Sequence, residues 1–186
     1  MIIGVDEVGR GCLAGPLVAG AVLLGKPIRG LKDSKQLTKA EREKFDARIR
    51  ARAIAYGLGW VSADELDTVG LTEAVRRAMQ RAVAQLLETP VEYSEIIIDG
   101  NYNFLRDIPL TRPIIKADDT VPAVSAASII AKVARDTYMA EAAKDFPGYK
   151  FESHVGYGTA FHRQALIELG MCSLHRRSFA PIRAML

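Results

Sequence analysis

Acidic residues follow three separate apolar segments of this 186-residue chain. They are Asp6 and Glu7 after the sequence IIGV, Asp99 after EIII, and Asp118 and Asp119 after PIIKA. If these segments are strands of one sheet, their ends bring the acids together, and clustered carboxylates cannot all ionise without a compensating cation. Oxygen ligands of this kind suit Mg²⁺ or Mn²⁺ rather than zinc. Each acid alone could instead be a strand end that emerges into solvent.

A glycine-rich segment follows the first pair of acids. Gly9–Ala14 fits the loose dinucleotide-binding pattern G-x-G-x-x-A, which requires a helix directly after it. Gly15-Pro16 and a second apolar segment follow instead, so the pattern does not indicate a nucleotide cofactor. The glycines favour a close approach of the backbone to a ligand, with Arg10 available for a phosphate.

The C-terminal part of the chain carries all three histidines and a tyrosine that lies between two glycines. Cys172, His175 and His162 could hold zinc, but three ligands at irregular spacing are weak evidence. Tyr157, between two glycines, could stack on a sugar or base, or it could simply close the edge of the domain. The Gly-x-Ser-x-Gly pattern of a serine nucleophile is absent from the sequence.

Composition indicates one globular domain with a hydrophobic core, since 49% of the residues are hydrophobic and 25% are charged. The net charge of +3 is unevenly distributed, with ten basic and four acidic residues between Lys26 and Arg52, and six basic and eleven acidic between Asp64 and Asp119. An acidic centre beside a basic segment suits a cation site that attracts a polyanion, although a solvated amphipathic helix explains the basic segment equally well.

The two cysteines do not form a disulfide framework at this chain length, which favours a reduced compartment. The longest apolar run, about Cys12 to Gly25, is too short to span a bilayer. Asp6 and Glu7 interrupt any signal-like segment at the N-terminus. We therefore expect a cytoplasmic protein without a membrane association.

Hydrophobic periodicity predicts an α/β sheet covered by helices. Strands are predicted at Ile2–Val5, Pro16–Leu24, Ala55–Val61, Glu95–Asp99 and Pro113–Lys116, the first two as a hairpin. Helices are predicted from a Thr38/Glu41 capping box into the low fifties, after a Ser62/Glu65 capping box, and over Leu71–Leu87, Thr120–Ala143 and Ala160–Leu169. Lys32–Lys35 and Phe146–Tyr157 are predicted to be loops, and the last stretch irregular.

The helix predicted from Thr120 carries a polar stripe on an otherwise apolar surface. The stripe consists of Ser125, Ser128, Lys132 and Arg135/Asp136. It begins just after Asp118, so it could either face the acids or simply face solvent.

Six segments of the chain resemble bacterial type 2 ribonuclease H (RNase HII) and occur in the order of that family. They are GVDEVGRG, LKDSKQL, IIIDGN, KADDTVPAVSAASIIAKVARD, GYGTAFH and HRRSFAPI. The resemblance extends from Ile3 to about Pro181, which is nearly the whole chain. Agreement of six segments in order is far more specific than any single motif.

The resemblance implies an RNase H-like α/β fold with a mixed central β-sheet flanked by helices. It implies one domain over residues 1–186, of which about 145–186 form a small C-terminal helical portion. The implied activity is cleavage of RNA in RNA/DNA hybrids and on the 5′ side of single ribonucleotides in duplex DNA, leaving 3′-OH and 5′-phosphate ends. Two Mg²⁺ or Mn²⁺ ions would serve the hydrolysis, and a monomer is expected.

The resemblance also implies roles for particular residues. The catalytic, metal-binding acids would be Asp6, Glu7, Asp99 and Asp118, with Asp119 only a neighbour of the last. Gly9, Arg10 and Gly11 would contact the ribose 2′-OH, which distinguishes RNA from DNA, and its phosphate. Ser34 and Lys35 would contact a phosphate, and Tyr157 the sugar beside the ribonucleotide. The basic residues between Lys26 and Arg52, with Arg176 and Arg177, would hold the duplex backbone.

The chain departs from the family at two positions. Cys12 stands where many relatives have proline, and Val155 where they often have lysine, which removes one phosphate contact.

Three other functions remain open. A type 3 ribonuclease H usually carries an additional N-terminal domain, for which we expect no room before a strand at residue 2. A nuclease of another kind on the same fold would cut all-DNA duplexes. A non-catalytic hybrid-binding protein would cut neither RNA/DNA hybrids nor all-DNA duplexes.

Overall fold

The structure, a computed structural model, describes residues 1–31 and 34–185. Its strands are β1 (Ile2–Val8), β2 (Leu17–Leu24), β3 (Ala53–Val61), β4 (Glu95–Asp99) and β5 (Thr111–Ile114). Its helices are α1 (Lys39–Arg52), α2 (Ala63–Val69), α3 (Leu71–Leu87), α4 (Ala117–Thr120), α5 (Pro122–Asp145), α6 (Phe151–His154), α7 (Ala160–Leu169) and α8 (Ala180–Arg183), and a 3₁₀ turn covers Ser34–Gln36. Within the predicted Lys32–Lys35 loop, Lys32 and Asp33 lie outside the described residues.

The five strands form one mixed sheet in the order β3-β2-β1-β4-β5. β1 lies at its centre and pairs antiparallel with β2, which confirms the predicted hairpin, and parallel with β4. β5 extends the sheet parallel to β4. Because β1 and β4 run in the same direction, their C-terminal ends meet at one edge of the sheet. The predicted α/β class and the mixed sheet flanked by helices are confirmed.

Helices cover both faces of this sheet. The main core lies between the sheet and α3, and a second cluster on the other face joins β2 to α1 and α5. Glycines let the helices approach closely: a Cβ on Gly59 would lie 1.8 Å from the carbonyl oxygen of Ala78 in α3. A Cβ on Gly4 would lie 2.1 Å from the carbonyl carbon of Ala123 in α5. None of the helices in the described part of the chain is long and apolar enough to cross a membrane.

The helix starts follow the capping chemistry of the sequence. At α1 the predicted box is complete, since Thr38 Oγ1 accepts from the Glu41 backbone and the Glu41 carboxylate accepts from the Thr38 backbone. At α2 only half of the predicted box forms, with Ser62 Oγ accepting from the backbone of Glu65. The Glu65 carboxylate instead accepts from guanidinium groups of α3, because those charged donors bind a carboxylate more strongly than a backbone amide does.

Two predicted strand ends are wrong, and two helices lie in stretches predicted to have none. β1 continues to Val8 rather than ending at Val5, because β2 pairs with it through Val8, so Asp6 and Glu7 lie inside the strand and not after it. β5 ends at Ile114 rather than Lys116, because Lys116 adopts a left-handed conformation (φ 57°) that ends the extended chain before α4. The predicted loop over Phe146–Tyr157 contains α6, whose Phe151 is fully buried among aromatic neighbours. The C-terminal stretch, predicted to be irregular, contains α8, which places Ile182 against Leu13 and Leu166.

The C-terminal helical portion packs on the connection between β1 and β2. Leu13 and Ala14 donate backbone hydrogen bonds to the carbonyl of Gly156, and Ala14 forms an isolated β-bridge with His175. Arg176 completes the contact by donating its backbone N–H to Leu13. This portion therefore holds the loop that follows Asp6 and Glu7.

Candidate active site

The sheet brings the first three predicted acids to one place. Val5 of β1 pairs with Ile98 of β4 in parallel register, so the next residues, Asp6 inside β1 and Asp99 at the end of β4, lie side by side where the pairing of these two strands ends. The Asp6 side chain is 6% exposed, and its Oδ1 accepts from the backbone N–H of Glu7 at 2.8 Å. A pair of strand ends that diverged into solvent would not bury an acid in this way.

Burial and mutual repulsion control the protonation of these acids. Burial raises the pKa of Asp6 well above its usual range, and the neighbouring charges of Glu7 and Asp99 raise it further. Burial also raises the pKa of Glu7, an effect that the guanidinium of Arg10 opposes. The Arg10 Nη1 lies 3.4 Å from Glu7 Oε1, a long and exposed contact. Carboxyls that repel each other in a buried place are stabilised by a cation, so the electrostatics favour a cation site.

The fourth predicted acid is positioned by the third. Asp99 Oδ1 accepts from the backbone N–H of Ala117 at 2.8 Å and so fixes the first residue of α4. Asp118, the next residue, is 4% exposed, and its Oδ2 lies 3.3 Å from Nζ of Lys35. Asp119 is exposed and accepts from Gln36 instead. The two adjacent acids therefore differ in environment, and only the first is buried.

The polar stripe of α5 faces the acids, and the interpretation that it faces solvent is wrong. Ser125 Oγ donates to the carbonyl of Asp118 at 2.6 Å. Ser128 hydrogen bonds to the Asp6 carboxyl, and its Oγ lies 2.9 Å from Ser34 Oγ. These hydroxyls satisfy polar groups that would otherwise be buried without partners, which is why the stripe interrupts an apolar helix.

A cavity of about 250 Å³ opens over these groups. Every predicted site residue except Asp118 lines it, namely Asp6, Glu7, Gly9, Arg10, Gly11, Ser34, Lys35, Asp99 and Tyr157. Sequence reasoning did not single out Arg42, which also lines the cavity and holds the turn before α1 by donating to the carbonyls of Ser34 and Leu37. Its only sequence signal was its place in the basic stretch from Lys26 to Arg52.

The family model described as Ribonuclease HII matches residues 3–182 of the chain. The chain belongs to the ribonuclease HII family. It is 48% identical over 187 residues to a ribonuclease HII of Halorhodospira halophila, an alignment that covers 100% of this chain and 94% of the relative. Ribonuclease HII is a nuclease, so the protein is a hydrolase of nucleic acid with ribonuclease H activity.

Solved structures agree with this assignment. The ribonuclease H2 of Pyrococcus horikoshii superimposes with a TM-score of 0.84 at 28% identity, covering 99% of this chain and 96% of that one. A Bst-RNase HIII solved in complex with Mn²⁺ superimposes with a TM-score of 0.77 at 21% identity, covering 99% of this chain and 68% of that one. The fold is thus the RNase H-like α/β fold that the sequence predicts.

Two fully buried guanidinium groups hold the loops around this cavity. Arg135 donates to the carbonyls of Pro16 at 2.8 Å, Ala14 at 3.1 Å and Val155 at 2.8 Å. It thereby ties the loop after β1 to the loop that carries Tyr157. A buried cation whose donors all meet carbonyls fixes backbone geometry, because moving any of these carbonyls would leave a buried donor unpaired.

Arg176 is the second of these groups, and its predicted role in holding the duplex is wrong. It is fully buried and donates to the carbonyls of Gly15 and Arg10. Burial lowers the pKa of Arg176 to about 10, which leaves it charged at neutral pH. Its task is to fix the carbonyl of Arg10, since a side chain without solvent access cannot reach a duplex.

No group of three or more His, Cys, Asp or Glu side chains in the described part of the chain is placed to hold a metal ion as it stands. Among the acids, Asp118 is directed at Lys35 and Asp99 at the backbone of Ala117. The same finding argues against the zinc site considered for Cys172, His175 and His162. There the two imidazoles bond to each other, with Nε2 of His162 3.0 Å from Nε2 of His175.

Proposed function

We propose that the protein cleaves RNA in RNA/DNA hybrids and cuts on the 5′ side of single ribonucleotides in duplex DNA, leaving 3′-OH and 5′-phosphate ends. The observation that carries this proposal is that the acids of β1 and β4 share one cavity with Gly9–Gly11 and Tyr157. The acids suit hydrolysis of a phosphodiester, and the glycine loop offers backbone to a ribose hydroxyl. A substrate in this cavity would have its phosphodiester beside the acids and its ribose 2′-OH, the group that distinguishes RNA from DNA, beside the glycine loop.

We assign Asp6, Glu7, Asp99 and Asp118 as the ligands of two Mg²⁺ or Mn²⁺ ions. The donor set fits, since it consists of carboxylate oxygens alone and the pKa values of Asp6 and Glu7 are raised by burial in the absence of a cation. Bound ions of this kind activate the attacking water and stabilise the departing 3′-oxygen. The Bst-RNase HIII that has this fold was solved with Mn²⁺. Asp118 would have to exchange its contact with Lys35 for a metal ion.

The loop after β1 is suited to contact the ribose. A Cβ placed on Gly11 would meet nothing within 4 Å, so the backbone there faces open space that a substrate can enter. Gly9 adopts a φ of +88°, which side chains disfavour, and its carbonyl accepts from the backbone N–H of Cys12, so the loop turns at this glycine. Arg10 extends from the same loop with more than half of its side chain exposed, as a phosphate contact requires.

The opposite side of the cavity is suited to hold the neighbouring sugar. Tyr157 is 41% exposed, and Nζ of Lys132 lies 5.6 Å from the centre of its ring. Asp136 holds Lys132 in place through an ion pair of 2.9 Å. We assign Tyr157 to the sugar beside the ribonucleotide, and Ser34 and Lys35 to a phosphate. We further propose a monomeric, cytoplasmic enzyme whose basic residues between Lys26 and Arg52 hold the duplex backbone.

The deciding experiment compares a labelled DNA duplex that contains one ribonucleotide with an all-DNA duplex, with Mg²⁺ and then with EDTA. We expect a single cut on the 5′ side of the ribonucleotide, only with metal and only on the first duplex. Cutting of both duplexes would indicate a general nuclease on this fold. No cutting by folded protein, with Mn²⁺ also tried, would leave only a hybrid-binding protein.

The variant Asp6→Asn tests the acids directly. We expect activity to fall at least ~100-fold, since removal of a group that acts on the reacting atoms has effects of this order. The apo variant should be more stable than the wild type, because the neutral amide removes a buried, repelling carboxyl. A thermal melt should show a higher midpoint for the variant without metal, and Mn²⁺ should stabilise only the wild type. Near-normal turnover at saturating Mg²⁺ would refute the assignment.

A further inference from the structure

A second groove adjoins the candidate active site on the far side of Tyr157. Its free volume is about 580 Å³, and its lining includes Lys132, Lys150, Ser153, Tyr157, Thr159 and Phe161. Lys132 and Tyr157 line both this groove and the active-site cavity. The two spaces therefore lie side by side, with these two side chains between them, and a chain that extends from the acids past Tyr157 enters the groove.

The groove is basic and partly aromatic. Nζ of Lys150 lies 4.6 Å from the centre of the Phe161 ring, whose side chain is 45% exposed. Among the described residues that line the groove, none carries a carboxylate. Lys150 lies beside Phe161 at one end of the groove. At the other end Lys132, which is paired with Asp136, lies beside Tyr157, so each end combines a lysine with an aromatic ring.

We propose that this space, the Lys150 groove, binds the sugar-phosphate backbone of the substrate duplex beyond the nucleotide that contacts Tyr157. The inference rests on the proposed function and names where the substrate continues. Lysines neutralise phosphates without regard to sequence, and aromatic rings pack against sugars or bases. A nucleic acid strand that is cut internally at the acids has nucleotides on both sides of the cut, so it must extend away from the acids in two directions. A peptide or a small metabolite has no such requirement.

The floor of the groove is fixed before any substrate binds. The carbonyl of Val155 accepts from buried Arg135 at 2.8 Å, and the carbonyl of Tyr157 lies 2.9 Å from Nδ1 of His162. The backbone N–H of Gly156 donates to Nδ1 of His154. A preformed surface binds with little ordering cost, so each lysine contact is expected to contribute measurably to affinity.

The test measures Lys150→Ala and Phe161→Ala on three duplexes that each contain a single ribonucleotide. The first has long DNA arms on both sides of the ribonucleotide. In the other two, the DNA on one side, 5′ or 3′, is shortened up to the ribonucleotide. We expect KM on the long duplex to rise about 3- to 10-fold while kcat stays within about twofold, since the groove holds the duplex away from the reacting bond. Lys150→Ala should also lower the slope of log affinity against log salt by about one. Shortening the arm that occupies the groove should abolish the difference from wild type, and shortening the other arm should preserve it.

Lys144→Ala is the matched control, because Lys144 is an exposed lysine of α5 that pairs with Glu141. It removes the same charge close to Lys150, since both lysines line one shallow pocket, and we expect it to leave KM within about twofold. Val155→Lys tests a gain, since this side chain lines the groove and an unbranched lysine is less strained than valine at φ 44°. It should lower KM on the long duplex and steepen the salt dependence by about one.

The inference is overturned if Lys150→Ala and Phe161→Ala match Lys144→Ala on the long duplex, or if their defects persist whichever arm is shortened. Val155→Lys without a gain in affinity would also count against it. Thermal melts of each variant identify a loss that comes from unfolding. These outcomes differ from a failure of the proposed function, in which wild-type protein would cut no ribonucleotide-containing duplex at all.

Discussion

Lys35 and Asp118 face each other across the edge of the acidic cavity, with Nζ of the lysine 3.3 Å from Oδ2 of the carboxylate. The lysine side chain is largely exposed, whereas the carboxylate is buried. The two residues are 83 positions apart and both belong to segments that the sequence assigns to the site. The lysine therefore lies where it can compensate a buried acid and also reach a phosphate.

Lys35→Met should separate these two roles. Without the ammonium, the acidic cavity becomes more negative, so the Mg²⁺ concentration for half-maximal activity should fall about 2- to 5-fold. The loss of a phosphate contact should raise KM for the ribonucleotide duplex about 5-fold. Both values come from one set of initial rates over a grid of Mg²⁺ and substrate concentrations, with Lys144→Met as the control. A rise in the Mg²⁺ requirement would contradict the electrostatic role.

Arg135→Lys should loosen both substrate-facing loops at once. A lysine keeps the charge but cannot reach the carbonyls of Ala14, Pro16 and Val155 together, so at least one buried carbonyl loses its donor. We expect a loss of about 2 to 4 kcal/mol in the free energy of unfolding, measured by urea denaturation. Arg183→Lys, at an exposed arginine of α8, should change it by less than about 0.5 kcal/mol.

A purely structural role for Arg135 would predict no more than this loss of stability. Positioning of Gly9–Gly11 and Tyr157 predicts in addition that, at a temperature where the variant is fully folded, its preference for a ribonucleotide duplex over all-DNA falls. Competition binding with EDTA present, so that nothing is cleaved, measures this ratio. An unchanged ratio would restrict Arg135 to stability.

The histidine pair of the C-terminal portion should make stability depend on pH. Burial, and after it the neighbouring His162, lower the pKa of His175 to about 4, against an ordinary value of 6.5. Between these values the unfolded chain binds a proton that the folded protein does not, so stability falls as the pH falls from about 6.5 to 4. At ~1.4 kcal/mol per pKa unit, this group should cost about 2 kcal/mol between pH 7 and 4.5.

His175→Gln isolates this contribution. The amide does not titrate, so the difference in unfolding free energy between wild type and variant should shrink as the pH falls from 7 to 4.5. Asp6 and Glu7 titrate in the opposite sense, because their raised pKa values favour the folded state at low pH, but they are common to both proteins. Urea denaturation at four pH values provides the measurement, and a constant difference would show that His175 does not titrate as expected.

The sequence predicts the parts of this protein that depend on local pattern. Short continuous apolar runs place β1, β2 and β4, and the capping chemistry of Thr38 places the start of α1 within one residue. Asp6 of β1 and Asp99 of β4 come together because the two strands are parallel neighbours whose pairing ends directly before these residues. These features depend on residues a few positions apart, or on a topology that few alternatives can satisfy.

The remaining features depend on contacts between distant residues. Nothing in the sequence around Arg135 or Arg176 distinguishes a buried guanidinium from a surface one. The difference lies in their carbonyl partners, of which all but Val155 are more than 100 residues away. The pairing of Asp118 with Lys35 has the same origin. α4 was missed because its first residue is fixed by the side chain of Asp99, a bond that no local propensity encodes.

Two glycines of the loop after β1 should respond differently to the same substitution. A Cβ on Gly9 would lie 2.3 Å from Nε of buried Arg135, at a φ of +88°. Gly9→Ala therefore combines backbone strain with a clash against a side chain that cannot move, and should cost about 2 to 4 kcal/mol. Gly11→Ala meets no atom within 4 Å and should change stability by less than about 0.5 kcal/mol.

Gly11→Ala should impair activity although it leaves stability unchanged. Its new methyl group enters the space assigned to the ribose, so KM for the ribonucleotide duplex should rise at least ~10-fold although the protein melts like wild type. Paired melts and initial rates for the two variants provide the comparison. If Gly11→Ala cleaved with an unchanged KM, the ribose would have to lie elsewhere in the cavity, and Gly9 and Arg10 would be left as the candidate contacts on this loop.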